Sequence, residues 1–370
     1  MMIFMTLKKK GKIKKIKKSR KIKKIRKEID FVDDKIAELL NKRAKLVLDI
    51  SQEKKKKKEK VYQPEREKEI LNRIKKKKGF LSSDSLEAIF QEIISHSRAL
   101  QGNLRISFLG PRATFTEMAA VKKFGKCADY TPLNSISDVF QHVEREQSDF
   151  GVVPIENSSE GSVTSTLDLF FDSNLNICGE TVINIDHCLL SNTSLKKVKK
   201  IFSHPQALAQ CRNWIKIKFP NPKIFETSST AKAAEMAKKT KNSAAIASSF
   251  AAKEYNLKVL AEKIQDRKQN KTRFLIIGKI SLKKTGEDKT SILFVTKHKS
   301  GALFKTLKPF YDHKINMTKI ESRPLKGKLW EYGFFVDIQG HKDDKKVKNA
   351  LKELSKQVLY LKVLGSYPED

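Results

Sequence analysis

Two short segments carry side chains that could do chemistry together. Val153-Pro154-Ile155-Glu156-Asn157-Ser158-Ser159-Glu160-Gly161 ends an apolar run in an acid, an amide and two hydroxyls before a glycine. Asn270-Lys271-Thr272-Arg273-Phe274 sets a hydroxyl and a guanidinium at the head of Phe274-Leu275-Ile276-Ile277, a run apolar enough to be a buried strand. Polar groups gathered at the carboxyl end of a strand are how open α/β sheets hold ligands. A third set lies near the start of the chain. Arg43 and Lys54 are eleven residues apart, about three helical turns, so they share a face and can converge on one anion. Arg26 stands seventeen residues before Arg43, about 25 Å along a helix, which no small ligand spans. If both hold one molecule, Arg26 comes from a second copy of the chain, which requires a dimer of interlocked helices. Ser97 and Gln101 form an i, i+4 pair on a later helix.

The elements that must position these groups fall into three kinds. Residues 1–20 form a basic tail, acid-free from Lys8 to Arg20 and expected to fray. Ile22, Ile25, Ile29, Val32, Ile36, Leu39, Leu46 and Ile50 then recur at threes and fours, one long helix that needs a helical partner. Pro64, Glu65 and Glu67 suit the first turn of a second helix running to Gly79, and Ser82, Ser83 or Asp84 can cap a third carrying Leu86, Ile89, Phe90, Ile93, Ile94 and Leu100. From Arg105 the pattern changes to short apolar strands alternating with helices, hence βα units and mostly parallel sheets. Residues 106–109, 151–155 and 274–277 belong to one lobe and residues 201–203, 223–226, 244–247 and 259–261 to a second, so the chain leaves lobe one and returns to it, with a cleft between. After the linker Lys283–Asp288, strand, helix, two strands, helix and a short strand near 362–364 make βαββαβ, a ferredoxin-like unit.

Composition narrows the class. The 370 residues allow two or three domains. Cys127, Cys178, Cys188 and Cys211 show no CxxC spacing and no paired histidines, so no metal is expected and reduced thiols in a cytoplasmic protein are. The apolar patch Met1-Met2-Ile3-Phe4-Met5 is too short for a span and precedes its lysines instead of following them, so neither a membrane nor an export segment is expected. The net charge of +35 is spread as lysine through all three regions, not gathered on one motif, which argues against nucleic acid and for a field that draws in small anions.

The Glu156-Asn157-Ser158 and Thr272-Arg273-Phe274 segments together resemble those of prephenate dehydratases. With the helical stretch before them and the ferredoxin-like unit after, residues 21–370 resemble the bifunctional chorismate mutase/prephenate dehydratase family, the P-proteins. The resemblance implies an all-α mutase domain over 21–102 that forms an intertwined dimer, an α/β two-lobed dehydratase domain over 104–282 and an α+β ACT regulatory domain over 289–370. It implies that Arg26 of a partner copy and Arg43 take the carboxylates of chorismate by charge-assisted hydrogen bonds. Lys54 and Gln101 would stand at the ether oxygen, Glu67 at the ring hydroxyl, and Gln63, Arg66 and Ser97 around them. That rearrangement is intramolecular and transfers no proton, so catalysis is conformer selection plus stabilisation of charge. Gln63 departs from the pattern, standing where many relatives have an acid, and should weaken ligand contact and the helix cap without abolishing activity.

For prephenate the resemblance implies Thr272 as the proton donor to the departing hydroxide, with water or Glu156 as an alternative relay because a hydroxyl is a weak acid. Glu156, Asn157, Ser158, Thr114, Ser229, Thr230, Arg273 and Phe274 would hold the substrate, the helix starts at Thr114 and Ser229 offering free N–H groups to a carboxylate or simply being capped by these side chains. Gly301, Ala302, Leu303, Glu321, Ser322, Arg323 and Pro324 would bind L-phenylalanine as a feedback inhibitor. No cofactor is implied. A two-lobed amino-acid or anion receptor with a sensor domain is a different reading of the same fold, and it leaves the arginine spacing and Thr272-Arg273 unexplained.

Overall fold

The computed structural model describes the backbone of residues 2–57, 61–325 and 331–369, and side chains from Lys21 onward except that of Lys55. Helix α1 spans Met2–Lys56. The backbone of the tail expected to fray continues this helix, as lysine is a good helix former, and its side chains lie outside those described. The apolar stripe on α1 is 45–64% exposed at Ile22, Ile25, Ile29, Val32, Ile36, Leu39, Leu46 and Ile50. Helix α2 spans Pro64–Lys75, with Pro64 in its first turn, Glu65 and Glu67 favouring the positive end of the dipole and Arg73 and Lys75 the other. Its N-cap, Gln63, makes no side-chain capping bond. Helix α3 spans Ser83–Ala99, where Ser82 Oγ accepts from Ser85 N. By compactness α1 groups with Leu100–Gly102, whereas α2 and α3 group with everything that follows.

The chain continues through β1 (Arg105–Leu109), α4 (Phe115–Phe124), β2 (Asp129–Leu133), α5 (Ile136–Glu144), β3 (Phe150–Asn157), β4 (Gly161–Ser162), α6 (Thr164–Asp172) and β5 (Asn176–Asn184). It crosses to the second lobe for β6 (Cys188–Ser191), β7 (Lys200–Ser203), α7 (Pro205–Gln210), α8 (Arg212–Lys218), β8 (Lys223–Glu226), α9 (Thr230–Lys239), β9 (Ser243–Ala247), α10 (Ser249–Glu254) and β10 (Lys258–Ala261). It then returns as β11 (Lys271–Gly278). Lobe one orders its strands β2-β1-β3-β11-β5 with β4 on β3, and lobe two orders them β10-β6-β9-β7-β8. Both sheets are mixed, against the expectation of mostly parallel ones. β1 is parallel to β2 and β3, but β11 runs antiparallel to β3 and β5, because the chain re-enters lobe one from the opposite end.

The last region is β12 (Asp288–Val295), α11 (Ala302–Asp312), β13 (Met317–Pro324), β14 (Tyr332–Gln339), α12 (Lys345–Ser355) and β15 (Tyr360–Pro368), in sheet order β13-β14-β12-β15. One face of this sheet packs on its helices through Ile292, Phe294, Phe310, Val336, Val347 and Leu354. The other face shares a core with lobe one, where Leu293, Phe335, Leu364 and Tyr367 join Val153, Ile155, Phe170 and Leu275. Both faces being covered, β12 is buried at every residue, which an antiparallel sheet with one wet face would not be.

Candidate active site

Strand register decides which polar groups meet. Thr272 pairs with Asn157 and Arg273 with Glu156 across β11 and β3. Directly opposed residues share a face and neighbours alternate, so Thr272 and Asn157 point one way and Arg273 and Glu156 the other. On the first face Asn157 Nδ2 donates to Thr272 Oγ1 at 2.7 Å and to Asn270 Oδ1 at 3.0 Å. Asn270 Nδ2 donates in turn to Gln210 Oε1 at 3.2 Å, and His187 Nε2 lies 2.8 Å from that same oxygen. Asn157 Oδ1 is occupied by the backbone N–H groups of Ser159 and Glu160, which fixes the amide so that its nitrogen faces the threonine. Every orientation in the chain follows from this, and Thr272 is left with its own proton to give.

The cluster sits where the chain crosses between lobes, His187 on the outward passage and Asn270 on the return. Thr272 keeps 8% of its surface open and His187 2%. Phe115, at the start of α4, meets the His187 ring edge-on with centroids 5.7 Å apart. Burial lowers the His187 imidazole below its ordinary value, opposed more weakly by its hydrogen bond to Gln210 Oε1. With Nε2–H directed at Gln210, the buried His187 Nδ1 has no hydrogen-bond partner among the described residues.

Several expected contacts lie elsewhere. Glu156 Oε2 accepts from Lys319 Nζ of β13 at 2.7 Å, so its carboxylate lies on the face opposite Thr272. Arg273 donates from Nε to Glu180 at 2.6 Å, from Nη1 to Asp337 at 2.5 Å and from Nη2 to the Tyr367 hydroxyl at 3.0 Å, also on the far face. Ser158 is exposed and exchanges hydrogen bonds with the Lys271 backbone, closing the end of the ladder. Phe274 is buried in the core of lobe one. Thr114 and Ser229 act as N-caps, accepting from Glu117 N and Lys232 N at the starts of α4 and α9, with Thr230 the first residue of α9. The loop before α4 also bridges the lobes, since Ala113 is buried among Ala231, Ala234 and Ala247 of lobe two.

Of the residues expected at the first site, Arg26, Arg43 and Lys54 lie on the single uninterrupted helix α1, which preserves the shared face of Arg43 and Lys54 and the long separation from Arg26. Burial lowers the Arg43 guanidinium from its ordinary value. Gln101 belongs to the same compact unit, whereas Gln63, Arg66, Glu67 and Ser97 belong to the other. Within that second unit Glu67 accepts from Arg98 Nη1 at 3.0 Å and 3.1 Å, Arg66 pairs with Glu69, and Ser97 Oγ donates to Ile93 O. Arg98 carries no signal in the sequence, yet it is buried over the adjacent Tyr62 and Phe124 rings, 5.5 Å and 5.9 Å from their centroids, and also donates to Phe124 O. On the ferredoxin-like domain Gly301 adopts the left-handed conformation that precedes α11, and Ala302 and Leu303 open that helix. Glu321 accepts from Ser162 Oγ and Arg323 clamps Asp168 of α6, while Ser322 and Pro324 face outward.

Sequence reasoning missed Asn270, Gln210 and His187 as members of this hydrogen-bonded cluster at the crossover between lobes. Asn270 was within reach, because period two puts it on the Thr272 face, but Gln210 and His187 carry no local signal. Among the described residues no group of three or more His, Cys, Asp or Glu is placed to hold a metal ion, and no helix is long and apolar enough to cross a membrane.

Known proteins match in the same order. Residues 25–102 match the chorismate mutase type II family, residues 106–281 the prephenate dehydratase family and residues 290–356 the ACT domain family. A bifunctional chorismate mutase/prephenate dehydratase of Aquifex aeolicus is 48% identical over 349 residues, 93% of this chain and 96% of the relative. One from Escherichia coli is 32% identical over 373 residues, with 93% and 95% covered. Among solved structures, a prephenate dehydratase from Arthrobacter aurescens in complex with L-Phe superposes with a TM-score of 0.66 at 35% identity, covering 71% of this chain and 89% of that one. The quorum-quenching acylase GqqA superposes with a TM-score of 0.67 at 29% identity, covering 72% and 98%.

Proposed function

This chain belongs to the bifunctional chorismate mutase/prephenate dehydratase family, and from that premise we propose how its residues divide the work. The helical region rearranges chorismate to prephenate, and the two-lobed region converts prephenate to phenylpyruvate by losing carbon dioxide and hydroxide. Aromatisation drives the second step, so the protein has mainly to help hydroxide leave. Thr272 is the donor to that leaving oxygen. The observation that carries this is the 2.7 Å hydrogen bond from Asn157 Nδ2 to Thr272 Oγ1, which occupies the threonine as an acceptor, polarises its O–H and leaves the proton for the substrate. A positioned donor of this kind is worth on the order of 10²–10⁴ in rate.

In the mutase step Arg43 and Lys54 hold one end of chorismate, Gln101 stands with Lys54 at the ether oxygen, and Arg26 reaches in from a second copy. The exposed apolar stripe along α1 supports that dimer, since a surface of this length and composition needs a helical partner. L-Phenylalanine is the ligand of the third domain, held near Gly301–Leu303 and Glu321–Pro324, and lowers activity by favouring a different arrangement of that domain. The direct test supplies chorismate and follows prephenate and phenylpyruvate in wild type, Arg43→Ala and Thr272→Ala. The arginine change is expected to stop the first step alone and the threonine change the second alone. Loss of both activities in both variants would remove the assignment of separate sites.

A further inference from the structure

A buried network of charged and hydroxyl groups lies on the opposite face of β11 from Thr272. Arg273 is enclosed by Glu180 of β5, Asp337 of β14 and Tyr367 of β15. The second oxygen of Glu180 accepts from Lys289 Nζ at 2.8 Å, and the second oxygen of Asp337 accepts from Ser291 Oγ at 2.5 Å, which in turn lies 2.7 Å from the Tyr367 hydroxyl. Glu180, Asp337, Ser291 and Tyr367 are all at most 2% exposed. Arg273 and Lys289 thus meet the buried carboxylates of Glu180 and Asp337, with Glu369 3.4 Å from Lys289 Nζ at the open edge, and each guanidinium nitrogen has a separate acceptor. A planar fork satisfied on three sides fits in one placement only. Burial alone would lower the Arg273 guanidinium, but Tyr367, Asp337 and Glu180 together raise it well above its ordinary value, so the charge is permanent.

Glu180 belongs to lobe one, whereas Lys289, Ser291, Asp337 and Tyr367 belong to the ferredoxin-like domain. The register partner of Arg273 is gripped from the same side, since Glu156 is held by Lys319 of β13, which also touches Ser162. β13 carries Glu321 and Arg323 as well, both joined to lobe one. The two residues that aim at the cleft, Thr272 and Asn157, are therefore each one peptide unit from a residue clamped to the third domain.

We propose that the register pair Arg273 and Glu156 are positioning residues, through which the third domain sets the aim of Thr272 and Asn157 in the cleft. This rests on the reading that Thr272 serves the dehydratase step. Any rearrangement of the third domain against lobe one must drag these two side chains or break their ion pairs, and either event shifts the strand ends that carry the donor. Misplacement of a reacting group by about 1 Å costs roughly 10²-fold in rate. Phenylalanine then acts on turnover more than on substrate binding.

The test uses full-length protein with prephenate as substrate and phenylalanine as effector. Tyr367→Phe removes one hydroxyl with no loss of packing, and Lys319→Gln releases Glu156, which is partly exposed and can be hydrated. Each is expected to lower dehydratase kcat by about three- to tenfold, to change KM for prephenate by less than about twofold and to blunt phenylalanine inhibition, with mutase turnover unaltered as the control for folding. Glu156→Gln, which still accepts from Lys319, should retain more of both turnover and inhibition than Glu156→Ala. Wild-type kcat and wild-type inhibition in Tyr367→Phe and Lys319→Gln would overturn the proposal, and so would a rise in KM at constant kcat in Arg273→Lys, which would mark a substrate contact. Failure of the wild-type protein to form phenylpyruvate would instead remove the dehydratase reading beneath it.

Discussion

At the scale of single residues, the direction of one hydrogen bond separates a proton donor from a bystander. Asn157→Asp keeps an oxygen for the N–H groups of Ser159 and Glu160 but replaces the N–H that faces Thr272 Oγ1 with an acceptor. The threonine proton then turns to the new carboxylate and away from the substrate. Dehydratase kcat is expected to fall on the order of 10²-fold with mutase turnover unchanged, measured by phenylpyruvate formation from prephenate and by chorismate consumption. A fall of less than twofold would show that the donor is another group. The expectation that Thr272 and Asn157 are site residues is legible in the sequence because both sit at strand ends in polar runs. Their neighbours Glu156 and Arg273 look equally functional there, and alternation alone assigns the two pairs to opposite faces. What alternation cannot supply is the occupant of the far face: Glu180, Lys319, Asp337 and Tyr367 come from strands 64 to 163 residues removed from their partners, and chain separation hides them.

At the scale of elements, the sequence yields the strands that alternate or run apolar between turns and loses those that owe their place to packing. Strand β5 escaped the reading because Asn176, Gly179 and Glu180 interrupt its apolar pattern. One of those interruptions is explained by the third domain: Glu180 is the counter-ion of Lys289 as well as of Arg273, and β5 lies directly against β15. At their contact Gly365 brings two backbones together so closely that a methyl group there would collide with the Ile177 carbonyl. Gly365→Ala must therefore push β15 away from lobe one, straining the Tyr367 end of the network. Overpacking of this kind costs about 1–3 kcal/mol. The expected result is a lower Tm and faster hydrogen exchange along β5 and β15, with the exchange of α1 unchanged. Unaltered exchange in both strands would mean that the two sheets are not in the tight contact described.

At the scale of the whole molecule, the unresolved demand is made by α1. Its apolar stripe is half exposed, and Arg26 stands about 25 Å along the helix from Arg43. A second copy answers both, and it does so in a way that can be counted. If Arg26 acts across the dimer, a site consists of Arg43 from one chain and Arg26 from the other. Mixing Arg26→Ala chains with Arg43→Ala chains, each inactive as mutase alone, creates mixed dimers in which one site carries both defects and the other carries neither. Random exchange of equal amounts makes half of the dimers mixed, so mutase activity should return to roughly a quarter of wild type. Dehydratase activity, for which the proposed site draws Thr272 and Asn157 from a single chain, should remain at the wild-type level throughout. Arginines serving one site within the same chain would give no recovery on mixing, and that outcome would also leave the stripe on α1 without its proposed partner.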